Sequence, residues 1–397
     1  MNMRKPYAIA CRARQSISRI GRVRAGKRPV PVDDTNSFPL TAVEMLRGKK
    51  RKKVLIVVSP SAATASDELK KAMEQSRIAA AVWQLPDRRF GPDDIENLRY
   101  YYLGEQCDAF VVIGDDVAVD LVKAAAIRVG RPRQTADTIL KKGKDDRKSA
   151  FVMAIPTVSA FAAGASIAEL NDRTGAVAVL RGHRLCPNAV VLDAKLSEMV
   201  DSATLKDAAV LSLCRAVEAY VNPLYGNKIS RDYAARAVEM ILRSLEPALE
   251  GDFAARRELL LAGRFSALAV NRCGFGYAFL TASSAAVVSG ADRAIISAVM
   301  LPAIMELYGE SAKEILQQLE ADAAVKADPE RPDKDVLWVL RKFFCRLGYP
   351  EILAGVRVDD IPEIVERVIS FGNRHCPAPT VLTAWELSEK LKELLPQ

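Results

Sequence analysis

Residues 109–123 read AFVVIGDDVAVDLVK, and two adjacent carboxylates, Asp115 and Asp116, stand where a strand hands over to a helix. Ala109 to Ile113 is a short apolar, β-branched run, the pattern of a buried parallel strand. From Val117 onward, Val119, Val122 and Ala126 recur at helical spacing. A strand, a tight turn and a helix can together hold a phosphate on backbone N–H groups. Glycine suits such a turn because its missing Cβ lets an anion approach the backbone. Here only Gly114 is glycine, and two acids follow it. One aspartate is expected to be the helix N-cap, accepting the N–H groups that a phosphate would otherwise use. Repulsion works in the same direction. A carboxylate about 4 Å from a phosphate charge costs roughly 1 kcal/mol in water and about 4 at an effective dielectric near 20.

Metal ligands are scarce. The chain has two histidines, His183 and His375, which stand near Cys186 and Cys376. The spacing of these four is not a zinc pattern, so surface or satisfied residues are the expectation. The seven cysteines (Cys11, Cys107, Cys186, Cys214, Cys273, Cys345 and Cys376) are dispersed, which suits a reducing compartment better than a disulfide scaffold. No Gly-x-Ser-x-Gly elbow, Walker loop or Cys-x-x-Cys occurs. Tyr220, Asn222, Lys123 and Cys273 are polar or reactive types, each with a structural role at least as good.

The elements that must position these residues follow from the pattern of the whole chain. Its 397 residues suffice for two domains with their own cores. No apolar run approaches the length of a membrane span. The net charge of +8 is unevenly placed: residues 1–53 hold 15 Lys/Arg and 3 Asp/Glu, leaving 42 and 46 for the remainder. The body is thus mildly acidic, which argues against nucleic-acid binding except through the basic N-terminus. Residues 1–35 lack any acid before Asp33 and are expected to be a mobile extension. A solvated tail, an organelle-import segment and a tail for anionic surfaces all remain open. A cytoplasmic location is the default expectation.

VLIVV (54–58), AAVWQL (80–85), AFVVI (109–113), FVMAI (151–155), AVAVL (176–180) and AVVLD (189–193) read as strands. Helical patterns such as SDELKKAMEQS and DDIENLRYYYLG lie between the first four, the signature of a parallel sheet covered on both faces. After Asp193 the segments are helical in period. Three regions are therefore expected: a basic, mobile extension over 1–48, an α/β dinucleotide-type domain over 49–194, and an all-helical domain over 195–397.

Several stretches share their wording and order with one family: CDAFVVIG…VDLVK, AIPT (154–157), CPNAVVLDAKLSEMV (186–200), AVEAYVNP (216–223), LAGRFSALAVNRCGFGYA (261–278), SAVMLPAIMELY (297–308) and CPAPTVLTAWELSEKL (376–391). Together they resemble the iron-containing (group III) alcohol dehydrogenases, relatives of glycerol dehydrogenase and dehydroquinate synthase. The resemblance runs from about Val54 to Leu394. It implies a Rossmann-like parallel-sheet domain followed by an all-helical domain. It also implies NAD(P) at the strand carboxyl ends and a divalent metal that polarises the alcohol oxygen.

The resemblance also places the functional positions, and this chain departs from them. In the family the cofactor turn is GGGS, with Asp and Lys downstream. Gly114, Asp120 and Lys123 match, while Asp115, Asp116 and Val117 replace two glycines and the serine. Of a second cofactor stretch, Thr-Thr-Ala-Gly-Thr-Gly-Ser-Glu, only Thr157 persists, and bulky Phe161 falls where small residues approach the ribose. Ser59 stands where an Asp often reads the adenosine ribose. The metal positions, an Asp and three His, fall on Leu211, Arg215, Phe279 and Arg293. None can ligate a cation, so neither iron nor zinc is expected.

Three functional readings remain open. The first is an alcohol dehydrogenase-like pseudoenzyme serving as a binding or partner subunit. The second is a metal-independent NAD(P)-dependent oxidoreductase. The third is an anion- or surface-binding protein, using the basic tail and a pocket in which Arg215 and Arg293 take a small anion. The alternative for the two arginines is neutralisation by Asp292 or Glu218. The family resemblance further implies a homodimer or larger homo-oligomer.

Overall fold

The computed structural model describes residues 7–16, 32–35, 37–86, 88, 90–145, 147, 149–325 and 335–396. Residues 7–16 are helical (α1). There follow β1 (Val32–Asp34), α2 (Phe38–Gly48), β2 (Lys53–Val58), α3 (Ala63–Gln75), β3 (Ala79–Gln84), α4 (Pro92–Gly104), β4 (Ala109–Gly114), α5 (Asp116–Val129), α6 (Ala136–Lys142) and β5 (Phe151–Pro156). A short α7 (Phe161–Gly164), the hairpin β6 (Ile167–Asn171) and β7 (Val177–Arg181), and β8 (Ala189–Leu192) complete this half. The second half comprises α8 (Ser202–Tyr220), α9 (Lys228–Leu249), α10 (Phe253–Cys273), α11 (Tyr277–Val288), α12 (Arg293–Tyr308), α13 (Glu310–Asp322), α14 (Val336–Arg346), α15 (Ile361–His375) and α16 (Ala384–Glu393).

The α/β unit takes its described residues from 25–205 and 247–267. Six strands form one parallel sheet in the order β1-β8-β5-β4-β2-β3. Strand periodicity sorts the core onto its two faces. Leu55 and Val57 join Phe110 and Val112 in one cluster, with Ile95 and Leu98 of α4, Val119 of α5 and Ile139 of α6. Val54 and Ile56 join Val111 and Ile113 in the other, with Phe38 and Leu46 of α2 and Leu69 and Met73 of α3. From β2 the chain steps to β3 on one side and to β4 on the other. The carboxyl ends of β2 and β4 therefore flank the point where open α/β sheets hold ligands.

The helical unit takes its described residues from 1–24, 206–246 and 268–397. Helix α11 is buried along most of its length and packs on α12 and α15. Among the described residues no helix is long and apolar enough to cross a membrane.

The fold class is as the sequence implies, and the boundaries are not. Residues 38–48, expected in a mobile extension, form a helix whose Phe38, Ala42, Val43 and Leu46 enter the core. Strand β1 pairs with β8, and α1 belongs to the helical unit. Positive charge masked the apolar spacing of α2, and a three-residue strand has no periodicity to read. Residues 1–6, 17–31 and 36 of the extension lie outside the described set. Residues 247–267, expected in the helical domain, belong to the α/β unit, where Leu261 packs against the sheet core. The run 176–180 is β7 of a separate antiparallel hairpin rather than a strand of the main sheet.

Candidate functional site

At the sheet's switch point, Asp115 is the N-cap of α5, its carboxylate accepting the Ala118 N–H at 2.9 Å. Asp116 reaches from the first turn of α5 to the start of α7, where it accepts the Ala162 N–H at 2.8 Å. Two helix N-termini thus receive negative charge from adjacent residues of one turn. Gly114 is held close to β2. A Cβ there would lie 2.1 Å from Ser59 Oγ, so no side chain fits. Thr157 follows β5, and its N–H donates to Gly114 O at 3.0 Å.

Asp120 and Lys123, one turn further along α5, face inward. Lys123 Nζ donates to Asp120 Oδ1 at 2.8 Å, to Ala162 O at 2.9 Å and to Ile167 O. The other Asp120 oxygen accepts the Glu169 N–H at 2.9 Å. Burial raises the Asp120 carboxyl above its ordinary value, against the pull of Lys123. The pair ties α5 to α7 and β6, and Lys123 has no exposed side-chain surface. The structure therefore brings Gly114, Asp115, Asp116 and Thr157 together at the turn, and Asp120 and Lys123 beneath it.

In the helical unit, Arg215 and Arg293 converge on the ring of Phe279. The guanidinium carbons lie 5.8 and 4.7 Å from the ring centroid. Phe275 stacks on the same ring at 3.8 Å. Neither arginine is free of other partners. Asp292 is occupied as the N-cap of α12, accepting the Ala294 and Ile295 N–H groups. Glu218, expected as a possible counter-charge for the arginines, instead directs its carboxylate to a helix N-terminus. Its buried carboxylate accepts N–H groups from Gly276, Ala278 and Phe279, capping α11 as an external anion would. Burial pushes this carboxyl up to about 7, opposed by those N–H groups and by Arg215. A Cβ at residue 276 would lie 2.3 Å from Glu218 Oε1, so glycine is required there for packing.

Comparison with known proteins decides the family. A model of the iron-containing alcohol dehydrogenases matches residues 40–194, and a model of that family's C-terminal part matches 207–392. The chain belongs to the iron-containing alcohol dehydrogenase family. A probable alcohol dehydrogenase of Escherichia coli K12, EutG, is 25% identical over 254 residues, covering 63% of each chain. The match thus spans under two thirds of that relative's length. A crystal structure of 1,3-propanediol oxidoreductase superposes with a TM-score of 0.83 at 19% identity, covering 92% of this chain and 98% of that one. The NADH-dependent butanol dehydrogenase A of Thermotoga maritima gives 0.82 at 17% identity, covering 93% and 97%.

Membership raises the question of the family's metal and NAD(P), and the residues present can be tested against both. A divalent cation does not fit beside Phe279. Two guanidiniums repel it, and a phenyl ring offers no lone pair. Among the described residues, no group of three or more His, Cys, Asp or Glu could hold a metal ion. His183 and Cys186 lie in the α/β unit, while His375 and Cys376 lie in the helical unit. A pyrophosphate does not fit the turn without displacing Asp115 and Asp116 from N–H groups they already hold. Leu211 lies on α8, half-buried, one helical turn before Arg215.

Proposed function

We propose that this chain carries the fold of the iron-containing alcohol dehydrogenases without their alcohol chemistry, as a pseudoenzyme acting as a binding or partner subunit. One observation carries the reading: two guanidiniums share the Phe279 ring in the helical unit. Cationic side chains there are incompatible with a Lewis-acid metal. The acid-filled turn at Asp115 and Asp116 supports it independently, because glycine-permitted N–H groups are what a dinucleotide pyrophosphate needs.

A second reading, a metal-independent NAD(P)-dependent oxidoreductase, is favoured by Thr157. Its hydroxyl is buried at the same turn with no hydrogen-bond partner among the described residues. Fluorescence titration of the purified protein with NADH and NADPH separates the two. The expected result is no binding up to millimolar nucleotide, and no alcohol oxidation on adding ferrous or zinc ion. Micromolar binding in the absence of metal would overturn the first reading and establish the premise of the second. The anion pocket at Arg215 and Arg293 receives less support, since both guanidiniums already have partners.

A further inference from the structure

Helix α1 sits on the end of α15 and the turn after it through side chains built for that place. Cys11 and Gln15 are buried, 6% and 0% exposed. Gln15 Nε2 donates to Asn373 O at 3.1 Å and to Cys376 O at 3.3 Å, and the Tyr225 hydroxyl donates to Gln15 O. Asn373 Nδ2 donates to the Tyr7 hydroxyl at 3.0 Å. Its Oδ1 accepts from the hydroxyl of Tyr277, the first residue of α11. A continuous polar chain therefore runs from α1 through Asn373 to the helix that Glu218 caps.

Arg12 is the conspicuous member of this contact. Its guanidinium donates to Ala378 O, to Pro379 O at 3.0 Å and to Gln15 Oε1 at 3.1 Å. Every one of these acceptors is neutral, and burial lowers the Arg12 pKa. A phosphate adds to such hydrogen bonds an opposite charge and a bidentate match to the guanidinium fork, neither of which a backbone carbonyl supplies. Arg14, two residues on, is exposed, and nine Lys/Arg precede Asp33 with no acid among them. Among the described residues the docked Arg12 thus has no carboxylate partner, and the sequence around it is rich in Lys and Arg.

We propose that α1 is a releasable latch on the helical unit, and that a multivalent phosphate competes for Arg12 and Arg14 and lifts it off. Release uncovers the carbonyls of residues 373, 376, 378 and 379 and removes Tyr7 from Asn373 Nδ2, on the side chain that also receives the Tyr277 hydroxyl. The inference stands on α1 alone and is independent of whether NAD(P) binds.

The test is hydrogen–deuterium exchange on the full-length protein, following peptides over 8–16 and 373–382. Millimolar tripolyphosphate should raise exchange in both by roughly tenfold or more, while sodium chloride at matched ionic strength leaves them protected. Arg12→Ala should show the raised exchange without tripolyphosphate, Gln15→Ala should show it in part, and thermal unfolding of the body should be unchanged. Protection of 8–16 that survives tripolyphosphate, or that survives Arg12→Ala, overturns the latch. An increase spread evenly over the whole chain overturns it too.

Discussion

Glu218 illustrates how a side chain distant in sequence can cap a helix whose own N-cap, Gly276, has no side chain to offer. Fully buried carboxylates persist only with strong partners, and this one has three backbone N–H groups at a helix N-terminus. Burial still wins, holding its pKa near 7 against an ordinary value of 4.5. A carboxyl raised in the folded state binds its proton more tightly there. Its contribution to stability is therefore full below the unfolded value and is lost as pH rises through the folded one. Glu218→Gln is neutral throughout and lacks this dependence. The unfolding free energy of the variant relative to the parent should rise by about 3 kcal/mol between pH 4 and 8, at 1.36 kcal/mol per pKa unit. Urea midpoints at both pH values measure it, and a difference independent of pH would show that Glu218 titrates normally.

Among the elements, α2 is the one whose status changed most between sequence and structure. Its Arg47 and the lysines after it read as part of a basic tail, yet Phe38, Ala42, Val43 and Leu46 fall at helical spacing. Leu46 has no exposed surface and lies in the core cluster beneath the sheet. Leu46→Ala should cost about 2–5 kcal/mol by lost transfer energy and the cavity left behind. Chemical denaturation measures that loss. A change under about 0.5 kcal/mol, typical of surface sites, would restore the reading of 38–48 as a loose extension. The strands β2, β4, β5 and β8 were legible because buried parallel strands are apolar almost without interruption. The hairpin β6–β7 was half missed, since Ile167–Asn171 mixes polar and apolar residues.

At the scale of the whole molecule, the charge map separates the N-terminal segment from the rest. Residues 1–31 carry nine Lys/Arg and no acid, within a chain of net charge +8. Phosphate and sulfate binding by such a segment is electrostatic and falls steeply with salt. The full chain should be retained on heparin at near-physiological salt, and a chain lacking residues 1–31 should pass through. Retention of the shortened chain would move the anion-binding surface onto the folded units, where Arg215 and Arg293 would again come into question. The family fold supplies the two units, but a fold does not carry an activity by itself.

The sequence alone determined the fold class, the family resemblance and the scarcity of histidine. All three rest on local patterns: uninterrupted apolar strands, helical periods and residue counts. It also marked Asp115 or Asp116 as a cap, because N-cap preference is local. Only the tertiary structure decided that Asp116 satisfies α7, that Glu218 caps α11, and that Arg12 docks on 378–379. Those partners are 46, 58 to 61 and 366 to 367 residues away in sequence. Buried polar groups must find partners wherever the packed chain brings them, and that placement is fixed by the core rather than by neighbouring residues.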